Sequence, residues 1–180
     1  SLAPAAVPAQ AGETEPGYRS QPLAIASEAK TGFTLLPPQR TGVGFTNVLP
    51  ESRFLTNQIL PNGSGVAAGD VDGDGRCDLF FCGLASGSRM YRNLGNWRFE
   101  DVTARAGVAC PNLDATGAAF ADLDGDGDVA LVVNSIGMGT RIFFNDSRGH
   151  FGRGSQLLKS GNCGTSLALA DADGDGDLDL

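Results

Sequence analysis

Three short segments of this chain carry aspartate at alternating positions. They read "GDVDGDGRCD" from Gly69, "ADLDGDGDVA" from Ala121 and "ADADGDGDLD" from Ala170. Carboxylates at positions one, three and five of a tight loop can converge on one point, and glycine at positions four and six allows backbone angles that a side chain resists. An all-oxygen shell with several negative charges suits Ca²⁺ better than a transition metal, or than Mg²⁺, which demands a stricter octahedron and keeps its waters.

The spacing predicts three Ca²⁺ sites, in which position seven offers a backbone carbonyl and, in the first and third loops, position nine offers a closing acid. The second site should be weaker because its position nine is Ala130, a gap that the acid at position seven or water can fill. The predicted ligands are Asp70, Asp72, Asp74, Arg76 and Asp78 in the first loop, Asp122, Asp124, Asp126 and Asp128 in the second, and Asp171, Asp173, Asp175, Asp177 and Asp179 in the third.

Other acidic loops fit the pattern less well. An EF-hand needs a bidentate acid at position twelve, where the first two loops have Phe81 and Val133, and the flanks here are strand-like. The nonapeptide calcium repeat is excluded because its G-G-x-G is absent. A solvated Asp/Gly turn without metal stays open as the alternative.

The acidic loops belong to a longer repeat. Their first aspartates are separated by 52 and then 49 residues, and residues 87–102 align without gaps on residues 139–154. Each unit predicts four short strands, which is typical of a β-propeller blade. The expected strands cover residues 65–71, 78–84, 89–93 and 98–102, then 117–123, 129–135, 141–145 and 150–154, then 166–172 and 177–180.

We therefore predict an all-β fold of four-stranded antiparallel blades, an incomplete array of about two and a half, over residues 64–180. The units start near residues 64, 116 and 165, and a short helical turn is expected at 103–107. Residues 1–22 are Ala/Pro-rich and predict a flexible, extended segment. Residues 23–63 predict an entry segment with short strands at 33–36 and 44–48.

Composition limits the function classes. The net charge is −8, and thirteen of the 21 acidic residues lie in the three loops, which argues against binding nucleic acid through its phosphates. No apolar run is long enough to predict a transmembrane segment. The first residue is Ser1, so we expect a processed N-terminus whose signal peptide has been removed, or a boundary within a longer sequence.

Cysteine spacing argues against zinc, because none of the four cysteines forms a C-x-x-C pair. An even count favours disulfides. Cys82 and Cys110 should lie at the same end of adjacent blades, so we expect a bond between them. Cys77 is then a buried thiol or is paired with Cys163.

The chain has no recognisable catalytic centre, and we expect that it is not an enzyme. His150 is the only histidine and lies in a predicted turn, where a solvated side chain is expected. No G-x-S-x-G or phosphate-binding glycine loop occurs. Trp97 and Tyr91 could stack on a sugar, but an aromatic residue in a strand is more often part of the core.

The segments "GVAAGDVDGDGRCDLFF", "GAAFADLDGDGDVALVV" and "SLALADADGDGDLDL" resemble the FG-GAP/VCBS repeats of integrin-α-like β-propellers. The tails "YRNLGNWRFEDVTARAGV" and "FFNDSRGHF" are similar to those of the bacterial extracellular proteins that carry such repeats. The resemblance covers about residues 64–180. It implies Ca²⁺ between the first and second strands of a blade, an extracellular or cell-surface location, and adhesion, recognition or scaffold roles.

Together these features predict an extracellular calcium-binding structural or assembly protein. Its expected partners are other copies of itself, or an extracellular protein or glycan. Head-to-tail polymers could form if "PLAIA" or "FTLL", before residue 60, added a strand to a neighbour's blade. A ligand-recognition or adhesion module, and a fragment or accessory propeller domain of a larger secreted protein, stay open as alternatives.

Overall fold

The computed structural model describes residues 14–15, 18–19, 32–152, 154–159, 164–175 and 178. Contacts divide the chain into two units, residues 1–35 and residues 36–180. In the first unit, strand β1 (Thr14–Glu15) pairs antiparallel with β2 (Tyr18–Arg19). The remainder of the predicted flexible segment, and the "PLAIA" segment, lie outside the described residues.

The entry segment is built from turns. It contains helix α1 (Pro38–Thr41) and two 3₁₀ turns, Glu51–Arg53 and Leu60–Asn62, and residues 32–63 contain no strand. The short strands predicted at 33–36 and 44–48 were therefore wrong. Proline at the start of α1 favours a helical turn, and Phe45 instead stacks on Phe81 with ring centroids 5.2 Å apart.

The first blade is a four-stranded antiparallel sheet with its strands in sequence order, as predicted. Asp78 lies opposite Gly69 in its first strand pair, so the acidic loop bridges the ends of the first two strands. The strands are β3 (Val66–Gly69), β4 (Asp78–Phe81), β5 (Arg89–Asn93) and β6 (Phe99–Asp101).

Helix α2 (Thr103–Ala106) follows the first sheet, confirming the predicted helical turn. The second sheet is again antiparallel and in sequence order: β7 (Ala115–Ala121), β8 (Ala130–Ser135), β9 (Gly139–Phe143) and β10 (Ser155–Leu158). The fourth strand predicted at 150–154 was wrong. Phe151 is buried and its N–H donates to Ala106 O at 2.9 Å, so the chain reaches the sheet edge only at Ser155.

The core lies between the two sheets and includes α2. The first strands of the two blades approach closely, because a Cβ on Gly65 would lie 3.3 Å from Gly117 Cα. The Gly65 N–H donates to Thr116 O at 2.8 Å across this contact. The buried apolar side chains that fill the core include Phe80, Met90, Val102, Ala106, Val108, Leu131, Val133 and Phe151.

The third unit packs on the second blade. Thr116 Oγ1 donates to Gly164 O at 2.7 Å, and Asn134 Nδ2 donates to Ser166 O at 3.2 Å. Residues 164–175 contain one isolated bridge, at Ala170, where a strand was predicted. Most of its predicted partner strand, 177–180, lies outside the described residues. Among the described helices, none has the length and apolar character needed to cross a bilayer.

Candidate metal centre

Each acidic loop is folded by its own first aspartate. In the first loop, Asp70 Oδ1 accepts the Gly73 N–H at 2.9 Å and Oδ2 accepts the Gly75 N–H at 2.8 Å. Both glycines are left-handed, with φ of 74° and 80°. A side chain at either position would strain the backbone, which explains the D-x-D-G-D-G spacing.

The second loop repeats this geometry. Asp122 accepts the N–H groups of Gly125 at 2.9 Å and Gly127 at 3.1 Å, and both glycines are left-handed. In the third loop, Asp171 Oδ1 accepts the Gly174 N–H at 2.7 Å. The three loops therefore share a scaffold and differ in the side chains placed on it.

The first loop brings together Asp70, Asp72 and Asp78, each of which offers a carboxylate oxygen within 4.8 Å of the others. Asp72 Oδ1 is buried and has no hydrogen-bond partner among the described residues. A buried anionic oxygen without a partner is costly. A hard cation bound among these three carboxylates would satisfy it, so the residues fit a Ca²⁺ site.

Asp78 is fully buried at position nine. Its Oδ1 accepts the Asn93 N–H at 2.7 Å, and its Oδ2 accepts the Val71 N–H at 3.1 Å. Burial raises the pKa of Asp78, and the neighbouring carboxylates raise it further, while the two N–H bonds oppose the change. Asp78 therefore links the acidic loop to strand β5 and is the fully buried member of the carboxylate cluster.

Two arginine side chains form ion pairs with aspartates of the first loop. Arg92 Nε lies 2.5 Å from Asp72 Oδ2, and Arg92 Nη2 lies 3.3 Å from Asp74 Oδ2. Arg76 also pairs with Asp74, so this carboxylate faces the guanidinium groups and lies outside the converging cluster. Partial burial acts to raise the pKa of Asp74, but the Arg76 N–H and both arginine charges hold it below its usual range.

Arg92 was not among the predicted ligands. Arg76 was predicted to offer its backbone carbonyl, whereas in the structure the Arg76 side chain pairs with Asp74 and donates to Asn93 O at 2.9 Å. Arg92 lies on β5, eighteen residues after Asp74 and twenty after Asp72, and only the register of the sheet brings it to them. No local pattern in the sequence marks this contact, because it depends on the register of β5 in the sheet.

The second loop brings together Asp122, Asp124 and Asp126. Ala130 is buried at position nine, so no acid closes the site there. Asp128 lies outside the cluster and accepts a hydrogen bond from the Ser147 hydroxyl. Among the described residues, no salt bridge reaches this loop.

The third loop brings together Asp171, Asp173 and Asp175, all of them exposed. The predicted ligands at positions seven and nine, Asp177 and Asp179, lie outside the described residues. All three clusters thus contain the carboxylates at positions one and three, and the third member is the acid at position nine in the first loop and the acid at position five in the other two.

The remaining candidate residues lie elsewhere. His150 is partly exposed in a turn, and its Nδ1 lies 3.2 Å from Asp146 Oδ2. Tyr91 is buried, as expected for an aromatic residue in a strand, but Trp97 is 66% exposed in the turn between β5 and β6. The core position considered for Trp97 was therefore wrong, because this residue does not lie in a strand.

Cys77, Cys82 and Cys110 are free thiols in the structure, and Cys163 lies outside the described residues. Cys77 is exposed, which corrects the expectation of a buried thiol there. Burial raises the pKa of Cys82 to about 12, and Cys110 adds to that effect. Burial also raises the pKa of Cys110 to about 11. The buried Cys82 thiol and the partly buried Cys110 thiol are therefore close enough to interact.

Comparison with known proteins agrees with the repeat. Cartilage acidic protein 1 of Mus musculus is 33% identical to this chain over 86 residues. The match covers 47% of this chain but only 13% of that protein, so the chain spans a small part of its relative's length. Residues 70–133, from the first acidic loop to the middle of β8, match the family model described as FG-GAP-like repeat.

Proposed function

We propose that this chain is an extracellular calcium-binding repeat module in which Ca²⁺ ions in the Asp-rich loops stabilise β-blades. The observation that carries the proposal is the buried Asp72 Oδ1, which lacks a partner although it lies among converging carboxylates. Oxygen ligands from Asp70, Asp72 and Asp78 would hold the ion. The bound ion would supply the positive charge that lets these carboxylates stay ionised and close together.

The role of the ion is structural. The first and second loops each connect the first two strands of their blade, so an ion held in either loop would tie those two strands together at one end. Binding to the folded state alone stabilises by roughly 2.7 kcal/mol per site when the ion is at a hundredfold excess over Kd. Three such sites would make the stability of the module strongly dependent on calcium.

The direct test is calorimetric titration of the metal-free chain with Ca²⁺ and, separately, with Mg²⁺, followed by thermal melts in calcium and in chelator. We expect Ca²⁺ to bind at two or more sites, Mg²⁺ to bind more weakly, and the melting temperature to fall in chelator and recover with Ca²⁺. A melt that is unchanged by chelator would contradict the proposal.

Matched variants assign the sites. Asp72→Asn should abolish the tightest binding step, whereas Asp124→Asn should affect a weaker step, because the second loop already lacks an acid at Ala130. Asp173→Asn should resemble Asp72→Asn. Glu51→Gln removes an exposed acid outside the loops, and it should bind Ca²⁺ like the wild type.

The extracellular location is part of this proposal. FG-GAP-like repeats occur in extracellular proteins, which supports it. A cell-surface or secreted protein would meet millimolar calcium, which suits sites of the weaker extracellular class. Fractionation of the source cells with an antibody against this chain would test the location. We also propose no catalytic activity, since the proposed metal sites would account for the acidic clusters.

A disulfide between Cys82 and Cys110 would fit an oxidising location. Two backbone bonds hold the neighbouring residues together: Ser88 N–H to Ala109 O at 3.0 Å, and Ala115 N–H to Gly83 O at 3.2 Å. Exchange with oxidised glutathione would form the bond and release two molecules of reduced glutathione. Non-reducing peptide mapping after such treatment should find the Cys82–Cys110 bridge, and a free Cys82 would contradict it.

A recognition or adhesion module is the second candidate. The exposed side chains of Trp97 and Leu94, 66% and 47% accessible, favour it because they form an apolar tip on an otherwise polar turn. Such a tip is a frequent feature of docking surfaces. Binding of the chain to a second copy, or to an extracellular protein or glycan, would distinguish this candidate from a purely structural module.

A further inference from the structure

The turn after strand β9, which we call the Asn145 turn (residues 145–149), lies against the acidic loop of the preceding blade. Asn145 is buried, and its Nδ2 donates to Val71 O at 2.8 Å. Its Oδ1 accepts the N–H groups of Asp146 at 2.8 Å and Gly149 at 3.1 Å. One side chain therefore shapes the turn in the second blade and links it to the first loop.

Glycine at the point of closest contact lets the turn approach the loop. Gly149 is left-handed, with φ of 73°, and a Cβ there would lie 3.3 Å from Val71 Cγ2 and 3.8 Å from Asp72 Cβ. The shorter distance is below the optimal separation of two carbon atoms, so a side chain at Gly149 would push Val71 away. Asp72 belongs to the first carboxylate cluster, and the second blade therefore packs directly on a candidate ligand.

The residue that receives both contacts, Val71, lies in the chain between two members of the cluster, Asp70 and Asp72. Val71 is buried, its N–H donates to Asp78 Oδ2 at 3.1 Å, and its carbonyl accepts the bond from Asn145. The two peptide groups that flank Val71 are thus held from opposite sides, one by the first blade and one by the second. Because Asp70 and Asp72 are attached to these peptide groups, Asn145 helps to set how their carboxylates converge.

The equivalent asparagine of the first blade makes a different contact. Asn93 lies 52 residues before Asn145, and its Nδ2 donates to Cys77 O at 2.8 Å within its own blade. The repeat would pair Asn145 with Val129 O in the same way, but Asn145 bonds Val71 O instead. Both asparagines therefore contact the first loop, one from each blade, and the repeat alone does not dictate the contact between the blades.

We propose that Asn145 and Gly149 are positioning residues of the first metal loop, and that they couple its calcium affinity to the docking of the second blade. The inference rests on the proposed function, because it concerns the same cation site and names how that site is regulated. The coupling is reciprocal by thermodynamic linkage. A docked turn raises the affinity of the loop for Ca²⁺, and bound Ca²⁺ holds the turn against the loop.

Two glycines of the second blade allow a matched test. Gly149→Ala and Gly137→Ala each place a Cβ at a left-handed residue, with φ of 73° and 76°, so their backbone strain is similar. The Cβ at Gly149 meets Val71, whereas at Gly137 no heavy atom of the described residues beyond its chain neighbours lies within 4 Å. Both changes are made in a parent that carries Asp124→Asn and Asp173→Asn, which weaken the other two sites. Calorimetric titration of the full chain with Ca²⁺ then reports on the first loop.

Well below the melting temperature, Gly149→Ala should bind Ca²⁺ at least about tenfold more weakly than the parent, as expected when a residue that orients metal ligands is lost. Asn145→Ala should weaken binding by a similar factor, because it removes the bond to Val71 O. Gly137→Ala should bind like the parent. A purely structural role of the turn would lower the melting temperature and leave the affinity of the folded protein unchanged, and circular dichroism melts check that each variant is folded.

Hydrogen exchange measures the coupling in the opposite direction. The N–H groups of Asp146 and Gly149 bond Asn145 Oδ1, so their exchange reports on opening of the turn. In the parent, Ca²⁺ should slow the exchange of both groups, read by nuclear magnetic resonance. Asp72→Asn should remove this slowing.

The outcomes separate the inference from the proposed function. A calcium affinity in Gly149→Ala and Asn145→Ala equal to that of the parent would overturn the inference and leave the proposed function intact. An equal loss of affinity in Gly137→Ala would also overturn it, because the effect would then not depend on contact with Val71. A parent whose first loop does not bind Ca²⁺ would overturn both.

Discussion

The first and second acidic loops are built on one scaffold but differ in how their charge is balanced. Both are folded by their first aspartate around two left-handed glycines. The first loop adds a buried acid, Asp78, and the guanidinium groups of Arg76 and Arg92. The second loop has Ala130 in place of the acid and Phe144 in place of Arg92.

This difference separates two requirements of a metal loop. Left-handed glycines and backbone hydrogen bonds shape the loop, and they are present in both. Ligand number and charge balance set how tightly the loop holds a cation and how stable it is without one. The first loop carries its own counter-charges, whereas the second keeps four aspartates without a salt bridge among the described residues.

The largest effect should come from making the first loop resemble the second. Asp78→Ala removes a buried carboxylate that accepts two backbone N–H groups, from Val71 and Asn93. Leaving these donors buried without an acceptor should cost on the order of 3 kcal/mol of unfolding free energy. Urea unfolding in calcium measures this. A loss no greater than that of Glu51→Ala would contradict it.

The reverse change sharpens the comparison. Ala130→Asp gives the second loop its missing acid, but it buries a charge among aspartates. In chelator we expect this variant to lose roughly 1–3 kcal/mol of unfolding free energy. Calcium should then stabilise the variant more than it stabilises the wild type, and thermal melts in both conditions measure the two effects. Ala130→Asn has nearly the same shape without the charge, and it should show the loss without the added calcium response.

A smaller effect should appear in the pH dependence of the metal-free protein. Burial raises the pKa of Asp78 above the ordinary value of 3.8. Because the folded pKa exceeds the unfolded one, this group's contribution to stability is complete below the unfolded pKa and is lost as pH rises through the folded pKa.

We therefore expect the unfolding free energy of the metal-free wild type, relative to Asp78→Asn, to fall as pH rises above about 4. Urea titrations of both proteins at several pH values give this difference. A difference that is constant or rises with pH would show that Asp78 is not the titrating group.

The smallest effect should be seen at Cys77, which lies within the first loop, where the second has Val129. The buried Cys82 and the partly buried Cys110, with pKa values of about 12 and 11, stay protonated and unreactive near neutral pH. The rate of alkylation of the exposed Cys77, measured by mass spectrometry, should fall by up to about tenfold when calcium binds. Asp72→Asn should remove this response, and Asp124→Asn should keep it.

Local patterns in the sequence predicted the four strands of the first blade and the loop scaffold. Strand β5 was found at its exact bounds, because apolar alternation and the acidic loop before it fix the register of the unit. The fourth strand of the second blade was missed, because burial of Phe151 against α2 is a tertiary effect that displaces the edge strand to Ser155. The exposure of Trp97 was missed because tryptophan occupies a left-handed position that glycine usually fills.

The clustering of acidic side chains at the candidate metal site was predicted in part, because only some of its contacts are local in sequence. The aspartates at positions one and three of each loop follow from spacing alone, and all six lie in the clusters. The contact of Arg92 with the acidic loop depends on which face of β5 the side chain occupies. Asp74 pairs with Arg92 and therefore lies outside the carboxylate cluster. Such contacts between distant residues carry no local signal.

The contacts of Asn145 and Gly149 with Val71 and Asp72 give the array a direction. The surroundings of the first loop are completed by residues that the ribosome adds some seventy positions later. A nascent chain that ends before the second blade would hold its first loop uncovered. Under the proposed function, this loop would then bind calcium with lower affinity than it does beside the folded second blade, so calcium uptake at the first loop should follow the synthesis of the second blade.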